Sequence, residues 1–225
     1  MPKVGNEIIQ TALPEAMVTL DTENEILSNG QIEGISNVVC IGQSIGKSDK
    51  TSKWLIETLR DTDFPMVLDA DALNIISETD EGYRLIPEGS IITSHVGEFE
   101  LLFGKHDTSL DRLETVRTVA SEQKIVIVLK GTHSVIGLPD GSIVFNTSGN
   151  SSMTTAGSGD VLSGIITGLI AQGLDFRDAA LRGVWLHGDA GDLAQIKYGK
   201  ISFMASDLLN ELPNAINNVS LTTFI

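Results

Sequence analysis

PMVLDADALNII, residues 65–76, is the stretch that decides the fold class. It begins as a short strand, residues 65–69, which is apolar up to Asp69 and lacks the alternation of a strand with one face in water. A helical pattern over residues 70–76 follows without a break. A fully apolar strand that leads directly into a helix is typical of a parallel sheet covered by helices on both faces.

The same unit recurs on both sides of this stretch. Apolar strands are predicted over residues 38–41, 91–93 and 125–129, and helices over residues 51–60, 97–103 and 109–123. Beyond Lys130, two strands (134–138 and 142–146) flank the turn signal Pro139-Asp140-Gly141, which predicts a β-hairpin. Three helices complete the pattern, over residues 159–172, 175–196 and 205–217. We therefore predict an α/β fold with a mostly parallel sheet, and a single domain over residues 1–225.

Composition excludes several classes of function. The chain of 225 residues carries 15 basic and 30 acidic side chains, a formal net charge of −15, which excludes nucleic acid and anionic lipid as partners. A phosphorylated ligand would have to be held by backbone amides, one or two lysines, or a metal ion. Cys40 is the one cysteine, so neither a disulfide nor a zinc–cysteine site can form. The longest apolar stretch, 161–171, is too short to span a membrane, and no signal peptide is visible, so we expect a soluble, cytoplasmic protein.

The sharpest local signal is TTAGSGD, residues 154–160, which opens a strongly apolar helix. Its glycines allow close approach to a ligand, and the free amides of the first helical turn favour an anion. Asp160 has two interpretations. It is either a base that takes a proton from a hydroxyl attacking a phosphoryl group, or an ordinary first-turn acid favoured by the helix dipole.

The segment Lys130-Gly131-Thr132-His133-Ser134 ends a buried strand. Lys130 could meet nucleotide phosphates while the following backbone lines a base pocket, or it could be a solvated lysine; both interpretations stay open. In the segment 187–192, HGDAGD, the two glycines favour close helix packing over ligand chemistry.

Two acids and a glycine loop complete the candidates. Asp69 and Asp71 either hold Mg²⁺ or cap the following helix, and His95, after another strand, could contact a ligand. The loop at residues 42–48, GQSIGKS, is one residue short of a P-loop, which leaves that interpretation as a minority view.

Several of these segments occur in a family-specific order. They are residues 67–74, 92–102, 128–134, 146–174, 185–194 and 205–213, and the most specific of them contains GNSSMTTAGSGD at 149–160. Together they resemble the ADP- or ATP-dependent NAD(P)H-hydrate dehydratases of the ribokinase-like superfamily. The resemblance implies a three-layer αβα sandwich with a mostly parallel central sheet.

The resemblance also implies a repair reaction. The S epimer of hydrated NADH or NADPH would be phosphorylated on its extra hydroxyl by ADP or ATP, and loss of phosphate would restore the nicotinamide. Asp160 would be the catalytic base, and the amides of Gly157, Ser158 and Gly159 would form the anion hole. The remaining implied contacts fall into two groups: Lys130, Gly131, Thr132, His133, Ser134 and Gly159 for the nucleotide, and Gly46, His95 and Asp160 for the hydrated dinucleotide. Mg²⁺ and a homo-oligomer are expected as well.

The chain departs from the family pattern in three places. The loop Gly-Pro-Gly-Leu-Gly has become GQSIG at 42–46, with Ser44 in place of the middle glycine, and Thr-Pro-His-Pro-Gly-Glu has become TSHVGE at 93–98. An earlier strand, glycine turn and helix have no counterpart, so we expect a chain that is short at its N-terminus. Two other functions remain open, a ribokinase-like small-molecule kinase and a nucleotide-binding remnant without turnover. The sequence does not distinguish ADP from ATP, or NADH hydrate from NADPH hydrate.

Overall fold

The strands pair in the order in which they occur along the chain. The computed structural model describes residues 1–30, 32 and 38–219. Its six-stranded sheet consists of β1 (Val39–Ile41), β2 (Met66–Asp69), β3 (Ile91–His95), β4 (Val126–Lys130), β5 (Val135–Gly137) and β6 (Ile143–Phe145). The first four strands are parallel, and β5 and β6 add antiparallel partners at one edge.

The described residues form eight α-helices, and all but the first cover the two faces of this sheet. They are α1 (Asn6–Ala12), α2 (Asp49–Asp61), α3 (Asp71–Ser77), α4 (Val96–Phe103), α5 (Ser109–Glu122), α6 (Ser158–Ala171), α7 (Phe176–Tyr198) and α8 (Ala205–Asn218). Consecutive strand residues point to opposite faces, so Val67 joins the core beneath α6, α7 and α8 while Leu68 joins the core beneath α2 to α5. Both side chains are fully buried, which explains why the strands are apolar throughout.

Polar side chains at the helix starts fix where several helices begin. Ser48 accepts the Thr51 amide at the start of α2, and Thr108 forms a capping box with Asp111 at α5. His95 plays this role for α4, where its Nδ1 accepts the Gly97 and Glu98 amides and the Glu98 carboxylate accepts the His95 amide. β3 therefore passes into α4 without a loop.

The predicted α/β class and mostly parallel sheet are confirmed, as are the hairpin and the three C-terminal helices. Sequence analysis did not predict α1. Within the described ranges, no helix is both long and apolar enough to span a lipid bilayer.

Candidate active site at the carboxyl ends of the strands

Three central strands end in polar residues that meet at one edge of the sheet. Asp69 ends β2, His95 ends β3 and Lys130 ends β4. His95 lies opposite Lys130 in the parallel register, and Thr93 lies opposite Asp69. This is the edge at which open α/β sheets bind their ligands.

Asp69 is the most completely bonded of these groups and is 1% exposed. Its Oδ1 accepts hydrogen bonds from Lys130 Nζ at 2.9 Å and from the Ala70 amide at 2.8 Å. Its Oδ2 accepts one from Ser163 Oγ, on α6, at 2.6 Å. Lys130 is therefore part of a largely buried ion pair, and the solvated-lysine interpretation is wrong.

The glycine loop after β1 packs against the end of β2. A Cβ on Gly42 would lie 1.7 Å from the Asp69 carbonyl oxygen, so only glycine allows this approach. The Gly46 amide donates to Asp71 Oδ2 at 2.9 Å, which shows that Asp71 holds the loop. Lys47 forms a surface salt bridge with Glu78, so its ammonium does not face a phosphate-binding loop and the P-loop interpretation is wrong.

The start of α6 has the features of an anion site. Gly157 adopts a left-handed conformation with φ 85°, which turns the chain into the helix. The Ser158 amide donates to the Thr155 carbonyl, whereas the amides of Gly159 and Asp160 have no acceptor among the described residues. A Cβ on Gly159 would lie 3.3 Å from Lys130 Nζ, so the ammonium lies against this first turn. Free amides, helix dipole and ammonium together favour a phosphate group here.

Asp160 projects from the first turn of α6 with an exposed side chain. Neighbouring atoms still desolvate the carboxyl group in part, and this partial burial raises its pKa above the ordinary value. The negative charge of Asp69 raises this pKa further, while the Lys130 ammonium opposes the shift. A carboxylate of raised basicity beside an anion site suits a general base for a hydroxyl.

A cleft of about 590 Å³ lies along this edge of the sheet. It brings together seven of the predicted site residues, namely His95, Lys130, Gly131, Thr132, Ser134, Ser158 and Gly159. Asp160 lines a neighbouring apolar groove on the other side of the α6 start. His133, Gly157 and Gly46 do not line the cleft.

His187, on α7, also lines the cleft. Burial lowers its pKa to about 4, so the ring is neutral near neutral pH. Its Nε2 lies 2.9 Å from the Ser158 carbonyl oxygen and 3.2 Å from Ser158 Oγ, so the neutral ring donates from Nε2 and steadies the α6 start. The predicted close packing also holds, because a Cβ on Gly188 would lie 2.1 Å from Ser148 Oγ.

Sequence reasoning missed the contacts of Asp69, Ser163 and His187. Ser163 lies inside an apolar helix and His187 inside a segment interpreted as packing. The sequence does carry one signal for the contact of Ser163: it is a polar side chain, one turn after Gly159, on a helix face that is otherwise apolar.

The described side chains do not form a magnesium cage. No three His, Cys, Asp or Glu side chains in the described ranges converge on a point that could hold a metal ion. Both Asp69 oxygens and one Asp71 oxygen already accept hydrogen bonds. Magnesium ligation by Asp69 or Asp71 stays a prediction.

Comparison with known proteins places this site in a family. A family profile described as NAD(P)H-hydrate dehydratase, of the carbohydrate-kinase type, matches residues 4–214. The chain is 39% identical over 209 residues to the ADP-dependent (S)-NAD(P)H-hydrate dehydratase of Neisseria meningitidis, a match that covers 88% of this chain and 69% of that one. It is 34% identical over 218 residues to the bifunctional NAD(P)H-hydrate repair enzyme of Thermofilum pendens, covering 93% of this chain and 40% of that protein.

The fold agrees with these matches. The ADP/ATP-dependent NAD(P)H-hydrate dehydratase of Bacillus subtilis, co-crystallised with ATP and Mg²⁺, superposes with a TM-score of 0.81 at 29% identity, covering 96% of this chain and 76% of that one. The chain spans about two fifths of the length of the bifunctional relatives that it matches. Since the family profile covers nearly all of the sequence, the chain belongs to the NAD(P)H-hydrate dehydratase family.

Proposed function

We propose that this chain dehydrates the S epimer of hydrated NADH or NADPH, with ADP or ATP as the phosphoryl donor. The observation that carries the proposal is the α6 start, where the exposed Asp160 carboxylate adjoins free amides and a fixed Lys130 ammonium. This arrangement occurs in a chain of the NAD(P)H-hydrate dehydratase family, whose relatives are named as ADP-dependent dehydratases.

The nucleotide would occupy the cleft along the end of β4. Lys130, Gly131, Thr132 and Ser134 line this cleft together with Gly159. We assign His133, which lies in the same turn, to this group as well. The phosphates would meet the Lys130 ammonium and the α6 amides, which concentrates positive potential locally on a chain whose net charge is −15.

The hydrated dinucleotide would lie between Asp160, His95 and the loop at Gly46. His95 is half exposed at the cleft edge, where α4 holds its ring through the Gly97 and Glu98 amides. The Gly46 backbone is fixed by Asp71 and has open space at its Cα, which leaves room for a ligand. Asp160 would then be the group that reaches the extra hydroxyl.

The reaction follows from these placements. Asp160 takes the hydroxyl proton as the hydroxyl oxygen attacks the terminal phosphorus of the nucleotide. The bond from this phosphorus to the bridging oxygen breaks, and the shortened nucleotide, AMP where ADP is the donor, leaves with that oxygen. The free amides at the helix start, those of Gly159 and Asp160, stabilise the charge on the transferring group. The Ser158 amide expected in the anion hole donates instead to the Thr155 carbonyl, and the contact from the Gly157 amide stays a prediction. Inorganic phosphate then departs with a neighbouring ring proton, which restores the ring double bond. The balance is one hydrate and one ADP converted to one reduced nicotinamide, AMP and phosphate.

Mg²⁺ would enter as the nucleotide complex, because phosphate oxygens and water can satisfy its coordination without a protein cage. The homo-oligomeric state, the cytoplasmic location and the single-domain organisation stay predictions.

The test uses chemically hydrated NADH with Mg²⁺ and either ADP or ATP. The wild type should restore the near-ultraviolet absorbance of the reduced nicotinamide, and Asp160→Asn should abolish this recovery. Asp175→Asn is the matched control, since Asp175 caps the start of α7 through the Asp178 amide and does not line the cleft.

Three outcomes separate the alternatives. Recovery that survives Asp160→Asn contradicts the assignment of the base. A stable phosphorylated product without absorbance recovery favours the kinase, and nucleotide binding without any turnover favours the remnant.

A further inference from the structure

Asp69 is a buried carboxylate whose bonds join the elements that form the site. Its donors come from β4 through Lys130, from α6 through Ser163, and from its own turn through the Ala70 amide. Ala70 has φ 47° and ψ −118°, a backbone conformation that L residues rarely adopt and that is retained where surrounding contacts over-determine it. The strained turn is therefore tied to the same carboxylate as the site lysine.

Ser163 places Asp69 directly beneath the anion site. Its hydroxyl lies one helical turn after Gly159 and also lies 3.2 Å from the Gly159 carbonyl oxygen. The hydroxyl has one proton, and the 2.6 Å contact with the charged Asp69 Oδ2 takes it in preference to the 3.2 Å contact with the Gly159 carbonyl oxygen. Ser163 Oγ can then accept from Thr93 Oγ1 at 3.1 Å. This series of hydrogen bonds, from Thr93 on β3 through Ser163 to Asp69, fixes the distance between α6 and the ends of the strands.

Lys130 is held by the same carboxylate. A lysine is a flexible point charge on a long stem, so its position depends on its partner. Here the partner holds Nζ at 2.9 Å and against the Gly159 backbone, with the side chain 23% exposed. Without the carboxylate, the ammonium has no fixed acceptor within the described part of the site.

The elements packed around the start of α6 carry several titratable side chains. These titratable side chains are Cys40 on β1, Asp69 on β2, Lys130 on β4, the neutral His187 on α7, and Asp207 in the first turn of α8, where it accepts the Met204 amide. Of these, Asp69 and Lys130 act on the Asp160 carboxyl in opposite directions. Loss of the Asp69 charge leaves the attraction of Lys130 unopposed.

We propose that Asp69 is a positioning residue for the phosphoryl-transfer site, which fixes the Lys130 ammonium and the start of α6 and balances the charge at Asp160. The proposal rests on the proposed function, and no contact of Asp69 with substrate is required. Its role acts through Lys130, Ser163 and Asp160.

The test compares Asp69→Asn, which keeps the shape and removes the charge, with the wild type. The turnover number should fall about 10- to 100-fold, the range observed when a positioning partner is removed. The acidic limb of the kcat/KM profile should move to lower pH, because Asp160 loses the neighbouring negative charge that raises its pKa. ADP, titrated calorimetrically, should bind at least as tightly as to the wild type, since Lys130 is no longer neutralised.

Two further variants protect this test against a folding defect. Asp21→Asn is the matched control, because Asp21 is also a buried carboxylate but takes its donors from residues 22–29. It should lower stability and leave the pH limb in place. Ser163→Ala removes the α6 contact and keeps the ion pair, so it should lower kcat several-fold without moving the limb; wild-type kcat in this variant overturns the proposal.

The outcomes distinguish a failure of the positioning role of Asp69 from a failure of the proposed function. ADP affinity that falls in parallel with kcat in Asp69→Asn, or an unmoved acidic limb, overturns the positioning role. If the wild type shows no turnover, the proposed function fails, and the ADP titration still decides the role of Asp69, because weaker binding by Asp69→Asn contradicts it.

Discussion

Two glycines of one loop give matched substitutions that should destabilise the protein by very different amounts. Gly42 and Gly46 both have positive φ, 137° and 76°, and both can be changed to alanine. At Gly46 a Cβ meets no atom within 4 Å. At Gly42 it would lie 1.7 Å from the Asp69 carbonyl oxygen and 2.7 Å from the Asp69 carbonyl carbon, and these are backbone atoms that no side-chain rotation can move.

The magnitudes follow from this difference. Gly46→Ala brings a left-handed alanine, about 1–2 kcal/mol, partly offset by about 0.4–1 kcal/mol from a stiffer unfolded chain, so it should cost about 1 kcal/mol. Gly42→Ala adds overpacking of about 1–3 kcal/mol to backbone strain of about 1–3 kcal/mol. It also disturbs the bond from the Asp71 amide to the Gly42 carbonyl, worth about 1 kcal/mol. The total is about 3–7 kcal/mol.

Urea unfolding of both variants beside the wild type measures these losses. The expected result is a Gly42→Ala loss at least about three times that of Gly46→Ala, since the total losses worked out above differ by at least that factor. Equal losses would show that the loop does not lie against the end of β2 as the structure places it, and the geometry of Asp69 would then be in doubt.

Three more predictions concern neighbouring groups. His187 should make the folded protein less stable at acidic pH, because folding lowers its pKa from 6.5 to about 4 and the unfolded chain therefore binds the extra proton below pH 6.5. In urea unfolding at pH 4, the wild type should have lost about 3 kcal/mol of stability relative to His187→Gln. Stability curves of the two proteins that run parallel with pH would contradict this. Lys130→Met should lower the free energy of unfolding by about 2–4 kcal/mol, because it leaves the Asp69 carboxylate buried without its partner. The double variant Lys130→Met/Asp69→Leu should regain at least half of that loss. Losses that simply add in the double variant would show that the two side chains do not form a coupled ion pair. Ser44→Gly should raise the melting temperature slightly, because Ser44 has a left-handed backbone with φ 53° that glycine adopts without strain. The net gain in stability should be about 0.5 kcal/mol. A lower melting temperature would show that the serine backbone is not strained.

The sequence predicted the layers of this fold because each layer has a local signature. β2 is apolar on both faces, as a strand between two helical layers must be, and the α6 start carries the glycines that its left-handed turn requires. The segments that contribute most of the cleft lining, 130–134 and 154–159, were identified for the same reason.

The contacts inside the site could not be predicted locally. Asp69 and Lys130 are separated by 61 positions, and their pairing depends on the strand order, in which β3 lies between β2 and β4. Ser44 keeps the left-handed backbone in a position where the family pattern has glycine, a result of tertiary packing that overrides the residue's own preference. Strand order and loop strain are global properties, so neighbouring residues carry no signal for them.

The most direct test of the central claim is the ratio of phosphate released to reduced nicotinamide recovered, measured on hydrated NADH with ADP and Mg²⁺. Transfer to the hydroxyl followed by elimination predicts one phosphate for each nicotinamide restored by the wild type, and neither product from Asp160→Asn. Nicotinamide recovery without phosphate release, or phosphate release without recovery, would contradict phosphoryl transfer at Asp160 as the route of dehydration.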